Sequence, residues 1–234
     1  SKTLPNQTII LGGNYVTDHF KDRLNSTETD LSFSVNTGGA YIQHTWDVSD
    51  VVKFENGVRA DLVKYGNDLY TESESFLLPR ISMLLRLSPK WSSRIGGGLG
   101  YKTPTAFTEQ TEGFQYQNLK PLAGVTSEKS IGGTADINFK TMIGDDLDFS
   151  INHMFFYTKL NNSIVLGGSD IAGYTLANTD KPLYSSGFET NAKLIYKDFL
   201  KFFAGYTYTD TKADYIPGDR IVPLVPVHRV NLIF

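Results

Sequence analysis

From Ser130 to Thr141 the chain alternates, with Ile131, Ala135, Ile137 and Phe139 on one face and Thr134, Asp136, Asn138 and Lys140 on the other. A period of two is the mark of a half-buried strand. From Val51 to Val63 the apolar face is Val52, Phe54, Val58, Ala60 and Leu62, and the opposite face carries Lys53, Glu55, Arg59 and Asp61. Further sets follow the same rule: Ile9, Leu11, Tyr15; Ala40, Ile42, Trp46; Leu77, Ile81, Met83, Leu85, Leu87; and Ile95, Leu99, Tyr101. Toward the C-terminus come Leu147, Phe149, Ile151, Phe155, Tyr157; Phe188, Ala192, Leu194, Tyr196; Leu200, Phe202, Ala204, Tyr206, Tyr208; and Val230, Leu232, Phe234. Ten strands are expected.

Their connections alternate in length. Short turns are predicted at Asp47 to Asp50, Ser88 to Lys90, Met142 to Asp146 and Lys197 to Phe199. Long polar segments separate the resulting hairpins, at Val16 to Thr37, Lys64 to Ser75, Lys102 to Ser127, Asn161 to Tyr184 and Thr211 to Pro226. A soluble sandwich has no reason to keep every second connection minimal. Outer-membrane barrels do: their turns are short on one side, their loops long on the other, and their strands about 9 to 11 residues long. Trp46, Trp91, Tyr101, Tyr157, Tyr196 and Phe199 fall near strand ends, where interfacial aromatic girdles belong. The predicted class is all-β, a transmembrane antiparallel up-and-down β-barrel in a bacterial outer membrane, with the apolar faces against lipid and Asp136, Asn138 and Lys140 toward the lumen.

Composition agrees and removes other classes. Aromatic residues make up 13% of the chain and glycine numbers 21, a β-rich mixture. The apolar run from Ser75 to Leu87 is broken by Pro79, Arg80 and Arg86, short of the roughly 18 residues a spanning helix needs. A net charge of -3 and no Lys/Arg cluster leave no basic field, so nucleic acid is not an expected partner. With no cysteine there is no disulfide, thiolate metal site or cysteine nucleophile. The chain opens at Ser1 without a basic or apolar leader, so any signal peptide is expected to have been removed or to lie upstream.

Candidate chemistry is sparse. The run Gly96-Gly97-Gly98-Leu99-Gly100-Tyr101-Lys102 lacks the spacing of a phosphate loop and reads as a strand whose small residues allow close approach. Asp145, Asp146 and Asp148 sit in a tight turn that favours Asp anyway. His19, His44, His153 and His228 lack metal-ligand spacing, and the last three fall in apolar-face registers. No G-x-S-x-G or comparable constellation supports a barrel protease or lipase. The Asn-x-Ser/Thr triplets at Asn6, Asn25 and Asn161 would be inert in a bacterium. No catalytic residue, metal site or cofactor is assigned.

Several segments resemble, in order, the motifs of TonB-dependent receptors. Ala40-Tyr41-Ile42-Gln43-His44-Thr45-Trp46, followed by Val58-Arg59-Ala60-Asp61, resembles the family's "Y-x-Q-x-x-W... L-T-x-G-x-R-x-D" hairpin. Leu78-Pro79-Arg80-Ile81 is similar to "S-P-R-L", and Gly100-Tyr101-Lys102-Thr103-Pro104-Thr105 to "G-F-R-A-P-T". Asn118-Leu119-Lys120-Pro121 resembles "N-L-K-P-E", with Leu122 replacing the acid, and Gly187-Phe188-Glu189-Thr190 resembles "G-x-E". Tyr206-Thr207-Tyr208-Thr209-Asp210 and Pro226-Val227-His228-Arg229 complete the series.

The resemblance implies an outer-membrane, ligand-gated importer rather than an enzyme, energised through TonB. Its cargo would be a metal chelate, a ferric siderophore first, with haem or cobalamin as alternatives. Family barrels have about 22 strands. The chain is therefore expected to be approximately the eleventh to twentieth strands, without the plug domain and its TonB-contacting segment, and with a final hairpin after Phe234. Ligand contacts are expected from loop aromatics: Tyr65, Tyr70, Phe114, Tyr116, Tyr174 and Tyr215. The loop from Lys102 to Ser127 is expected to be exposed and to close over ligand. Two alternatives stay open, a self-contained ten-stranded barrel with a structural or adhesive role and a barrel enzyme. The first is suggested by the ending His228, Val230, Leu232, Phe234, which imitates a barrel's C-terminal signal, and it would pair Thr8 to Tyr15 with Val227 to Phe234.

Overall fold

The computed structural model describes residues 2–22, 30–113, 115–197, 199–223 and 225–234. All ten predicted strands are present: β2 (Gln7–Phe20), β3 (Phe33–Asp47), β4 (Val52–Gly66), β5 (Thr71–Arg86), β6 (Trp91–Lys102), β7 (Glu128–Ile143), β8 (Leu147–Asn161), β11 (Leu183–Tyr196), β12 (Leu200–Ala213) and β13 (His228–Ile233). Among the described residues three more elements complete the β-structure. A short β1 (Lys2–Leu4) precedes β2, and β9 (Ile164–Ser169) and β10 (Gly173–Asn178) form a separate hairpin between β8 and β11. One short helix, α1 (Glu109–Glu112), lies between β6 and β7.

The main sheet runs β1-β2-β3-β4-β5-β6-β7-β8-β11-β12-β13, every neighbour antiparallel and every step between chain neighbours apart from the inserted hairpin. It is open: Ile9 pairs with Lys2 and His44, and Val230 with Tyr206, so β2 and β13 are not joined. The β3–β4, β5–β6, β7–β8 and β11–β12 turns lie at one end of the sheet, and the longer β6–β7, β8–β11 and β12–β13 connections at the other.

Directly paired residues share a face, so the registers extend the alternation across the whole sheet. One row joins Trp91, Phe139, Ile151, Ala192, Ala204 and Leu232. Another joins Gln43, Gly57, Arg80, Gly98, Gly132, Thr158, Ser185 and Thr211. The first belongs to a continuous apolar face on which Leu11, Leu62, Leu77 and Ile95 are exposed. The second belongs to a polar face. In water a bare apolar face of this breadth would drive association, whereas against hydrocarbon it is the stable arrangement. The imidazoles on that face have polar partners: His44 lies 3.1 Å from Gln7 Oε1, His153 2.7 Å from Thr190 Oγ1 and His228 2.9 Å from the Tyr206 hydroxyl.

The expected long connection from Lys64 to Ser75 is in fact a tight turn. Gly66 pairs with Thr71, and Asn67 Oδ1 accepts hydrogen bonds from the N–H groups of Leu69 and Tyr70. A Cβ on Gly66 would lie 2.2 Å from the Tyr70 carbonyl oxygen, so only glycine closes this hairpin. β2 and β3 likewise run on through Val16 to Phe20 and Phe33 to Thr37. The strands, 14 to 16 residues in β2, β3, β4 and β5, outreach what a bilayer requires. Their outer halves stand above it.

The buried core is confined to this projecting, long-connection end. Leu31, Phe33, Val35, Val63, Tyr65 and Phe76 form one wall, and Ala106, Leu119, Leu122, Val125 and Leu176 come from the β6–β7 connection and β10. Pairing between β5 and β6 stops at Arg80, next to Pro79, which has no N–H to offer a ladder. Beyond that point Tyr101 stacks on Phe76, with ring centroids 3.8 Å apart and planes 7° from parallel.

Candidate functional site

The projecting ends of β3, β4 and β5 carry the connections that a barrel presents outward, and three polar knots fix them. Glu74, on the same face as Tyr65, accepts a hydrogen bond from the Tyr65 hydroxyl at 2.7 Å and from Ser127 N–H at 3.0 Å, and Lys129 Nζ lies 3.6 Å away. The Asn178 side chain is fully used. Its Oδ1 accepts from Thr126 N–H at 2.7 Å, and its Nδ2 donates to the carbonyls of Thr126 and Asn162 at 2.8 and 2.9 Å. Asn162 Nδ2 in turn reaches Ser127 O at 2.9 Å, and Glu128 Oε1 takes Ile164 N–H at 2.8 Å. The third knot is Arg59, whose Nε is 2.8 Å from the 3% exposed Asp61 carboxylate, which also accepts from the Tyr101 hydroxyl at 2.9 Å.

These bonds correct one expectation. The segment from Lys102 to Ser127 is not an exposed free loop: Thr111 and Ser127 are wholly buried, and Leu119 and Val125 are 1% exposed. Thr111 explains part of this, since its hydroxyl donates to Ala106 O at 2.7 Å and its side chain caps the turn from Thr108. The segment is also sewn to the β9–β10 hairpin, with Lys120 N–H donating to Tyr174 O and Tyr174 N–H to Asn118 O, both at 2.8 Å.

Four of the six predicted site residues meet here. Tyr65 is at the centre of the core, 1% exposed, and belongs to strand β4 rather than to a loop. Tyr70, in the β4–β5 turn, and Tyr116 and Tyr174 pack partly buried against that core. Tyr215 is half-buried in the β12–β13 connection, apart from the cluster, and Phe114 lies outside the described residues. Phe107, which sequence reasoning missed, links Phe20 at 5.1 Å to Tyr116 at 5.5 Å between ring centroids. Its single aromatic in a polar stretch gave no pattern to read. Beside the cluster, between the β2 and β3 ends, the β4–β5 turn and Lys120-Pro121, is a cavity of about 700 Å3. None of the six predicted residues lines it; Phe33, Asn67 and Leu69 do.

Burial pushes the Tyr70 phenol up to about 12, with Glu72 adding to the effect. The Tyr174 phenol is raised by its hydrogen bond to Asp170, and that of Tyr215 by burial and the nearby Glu128. A phenol held neutral by burial contributes stability that is complete below the ordinary tyrosine value of about 10 and is lost as pH rises through the folded value. The β4–β5 turn should therefore hold to pH of about 10 and loosen between 10 and 12. The tyrosinate absorbance difference between wild type and Tyr70→Phe checks this: a phenol titrating near 10 would mean that Tyr70 is solvated.

Among the described residues no group of three His, Cys, Asp or Glu side chains converges on a metal position. In the acidic turn Asp146 is 3.0 Å from Lys197 Nζ and Asp148 is 3.7 Å from Lys140 Nζ, so both carboxylates face ammonium groups.

An open antiparallel sheet with an outward apolar face, short turns at one end and a structured cap at the other is the wall of an outer-membrane β-barrel. The family model for the TonB dependent receptor-like beta-barrel matches residues 2–234, and the chain belongs to that family. It is similar to the FrpB iron transporter from Neisseria meningitidis, F5-1 variant, with a TM-score of 0.71 at 17% identity over 95% of this chain and 36% of that one. The siderophore receptor PirA from Pseudomonas aeruginosa gives 0.62 at 16% identity over 88% and 37%. The ferripyoverdine receptor of the same organism gives 0.66 at 12% over 97% and 32%. The chain thus spans about a third of the length of these structures, and the likeness is one of fold. It is an outer-membrane protein of a transporter family.

Proposed function

We propose that the chain is part of the barrel wall of a ligand-gated importer for a metal chelate, a ferric siderophore first, with haem or cobalamin as the alternative cargo. Such a barrel would be completed by other segments to about 22 strands and energised through TonB by a plug region outside this chain. The observation that carries the reading is the cap: two connections are held over one end of the sheet by partly buried side-chain hydrogen bonds and pack Tyr116 and Tyr174, with Tyr70 of the β4–β5 turn, against one core at its rim. Long structured connections of this kind are usually functional. The partly exposed Tyr116, Tyr174 and Tyr215 are the proposed ligand contacts, since phenols offer both a stacking face and a polar tip. Tyr65 supports them from inside. Outer-membrane lipid is the proposed partner of the apolar face.

The test uses the full-length protein in its own bacterium. A deletion strain should fail to grow on one iron or cobalamin source and be rescued by the wild-type gene. Loss of TonB should abolish that growth as completely as loss of the receptor. Unimpaired growth on every iron chelate, haem and cobalamin source would sink the reading.

A further inference from the structure

The apolar outward face changes character where the strands leave the membrane. Leu62 is ten residues beyond Val52, where β4 rises from its short turn. At about 3.3 Å per residue and a tilt of about 40° that is about 25 Å, the upper edge of the apolar band. Lys64, next on the same face, stands about 5 Å higher, at the level of lipid headgroups. Around this pair the face is hollow. The row Tyr15, Gly38, Leu62, Ser75 has no side chain at its second place, and the row beneath it, Gly13, Ala40, Ala60, Leu77, is small in its first three. Tyr15 and Leu62, 72% and 71% exposed, are thus the two banks of a depression of about 450 Å3.

The row above, Thr17, Asn36, Lys64, Ser73, is polar. Asn36 Oδ1 already accepts hydrogen bonds from the hydroxyls of Tyr15 and Thr17, so its side chain has the N–H groups left to offer. With the Lys64 ammonium on the adjoining strand and the Ser73 hydroxyl beyond it, the upper end of the depression presents donors. Lys159, twelve residues beyond Leu147 and so at the same level on β8, lies over the Tyr184 ring, and Lys212 is held by Asp210 at 2.9 Å. Lys64 has no such partner among the described residues. Segments that complete a barrel extend its wall at the two edges or fill its inside, so the face that carries Lys64 is left to the membrane. A slot floored by glycine and alanine accepts an acyl chain, and donors around one cation accept an anion. Together they describe a lipid with a charged headgroup. We propose that this depression is a binding site for a phosphorylated lipid, with an acyl chain over Gly38 and the phosphate on Lys64, Asn36 and Ser73. The site rests on the reading that the apolar face meets outer-membrane lipid.

The full-length protein, stripped of lipid in a neutral detergent, is titrated with diphosphoryl lipid A and with the same lipid after phosphatase treatment, and retained lipid is counted by native mass spectrometry. Wild type should hold the phosphorylated form at least about fivefold more tightly, and Lys64→Gln should lose about that factor, the contribution of one lysine at an anionic lipid surface. Gly38→Leu keeps every donor and fills the slot. A Cβ there meets only Tyr15 Cδ2, at 4.0 Å, so the variant has room to fold, and it should weaken both forms of the lipid. Lys53→Gln, on the polar face, should bind as wild type does. Equal retention of the two forms by wild type, wild-type affinity in either Lys64→Gln or Gly38→Leu, or a protein dimer in place of retained lipid would overturn the proposal. Lipid contact of the wider apolar face is measured separately, by the cost of Ile137→Lys, so the two failures are distinguishable.

Discussion

Ile137→Lys should destabilise the full-length protein in lipid by about 2 to 4 kcal/mol, while Asn138→Lys, one residue further along the same strand, should be nearly silent. Ile137 pairs with Ser93 and His153 on the apolar face, and Asn138 with Ser92 and Asn152 on the polar one. Depth sets the magnitude. Ile137 is six residues from Ile143, where β7 ends at the short turn. At about 3.3 Å per residue and a tilt of about 40°, that is about 15 Å above the turn, close to the middle of an apolar band about 25 Å tall. A lysine there must drag its ammonium into hydrocarbon or bend its stem toward an interface, which moves the cost to the lower end of the range. His153, in the same row, meets the same constraint through its hydrogen bond to Thr190. Denaturant titrations of both variants refolded into phospholipid vesicles make the comparison. Equal costs would mean that the faces have been assigned the wrong way round.

What the sequence made legible was the part of each strand where the two faces differ. Lipid demands an apolar residue at every second position, so β7 and the lower half of β4 could be read directly. The outer halves could not. In β2 the residues Thr17, Asp18 and His19, and in β3 Asn36 and Thr37, are polar whichever way they point, and a strand without contrast reads as a loop. The β9–β10 hairpin was hidden for a related reason. Ile164-Val165-Leu166 is strand-like, but Gly167, Gly168 and Gly173 follow, and Gly168 and Gly173 turn the chain with φ of 110° and 80°. That glycine-flanked tip was a hairpin signal that could have been used.

The site was legible only as residue types. Aromatics in long connections pointed toward the cap, and Tyr70, Tyr116 and Tyr174 do gather there. The residues that hold them were not marked. Glu74, Asn162 and Asn178 sit in polar stretches, where a carboxylate or amide ordinarily means solvent. Much of their role comes from contacts with residues 35 to 53 positions away, Asn162 to Ser127, Asn178 to Thr126 and Glu74 to Ser127. No local pattern encodes a partner at that distance. Tyr65 failed in the opposite direction, since an aromatic beside Gly66 looks like loop until the tight turn at Asn67 carries the strand through it.

The second large effect is expected at Asn178. In the wild-type protein the connection from Lys102 to Ser127 should resist protease on intact cells, because its cleavable backbone is packed on the core and tied to two neighbours. Asn178→Ala removes the acceptor of Thr126 N–H and the donor to the carbonyls of Thr126 and Asn162. Each partly buried group left without a partner costs about 1 to 3 kcal/mol, and water recovers part of that once the segment lifts. A net change of about 3 kcal/mol in local opening corresponds to about a hundredfold more of the open form. Cleavage follows that population when closing is faster than cutting. Proteolysis within residues 103–127 should therefore accelerate by about two orders of magnitude in Asn178→Ala. It should rise at least as much in Asn178→Asp, which keeps the acceptor but sets a carboxylate oxygen against the two carbonyls. The barrel's own resistance to denaturant should be unchanged, since β8 and β11 pair through their full registers below this point. Rapid cleavage of wild type, or no difference between wild type and Asn178→Ala, would show that Asn178 does not hold the cap.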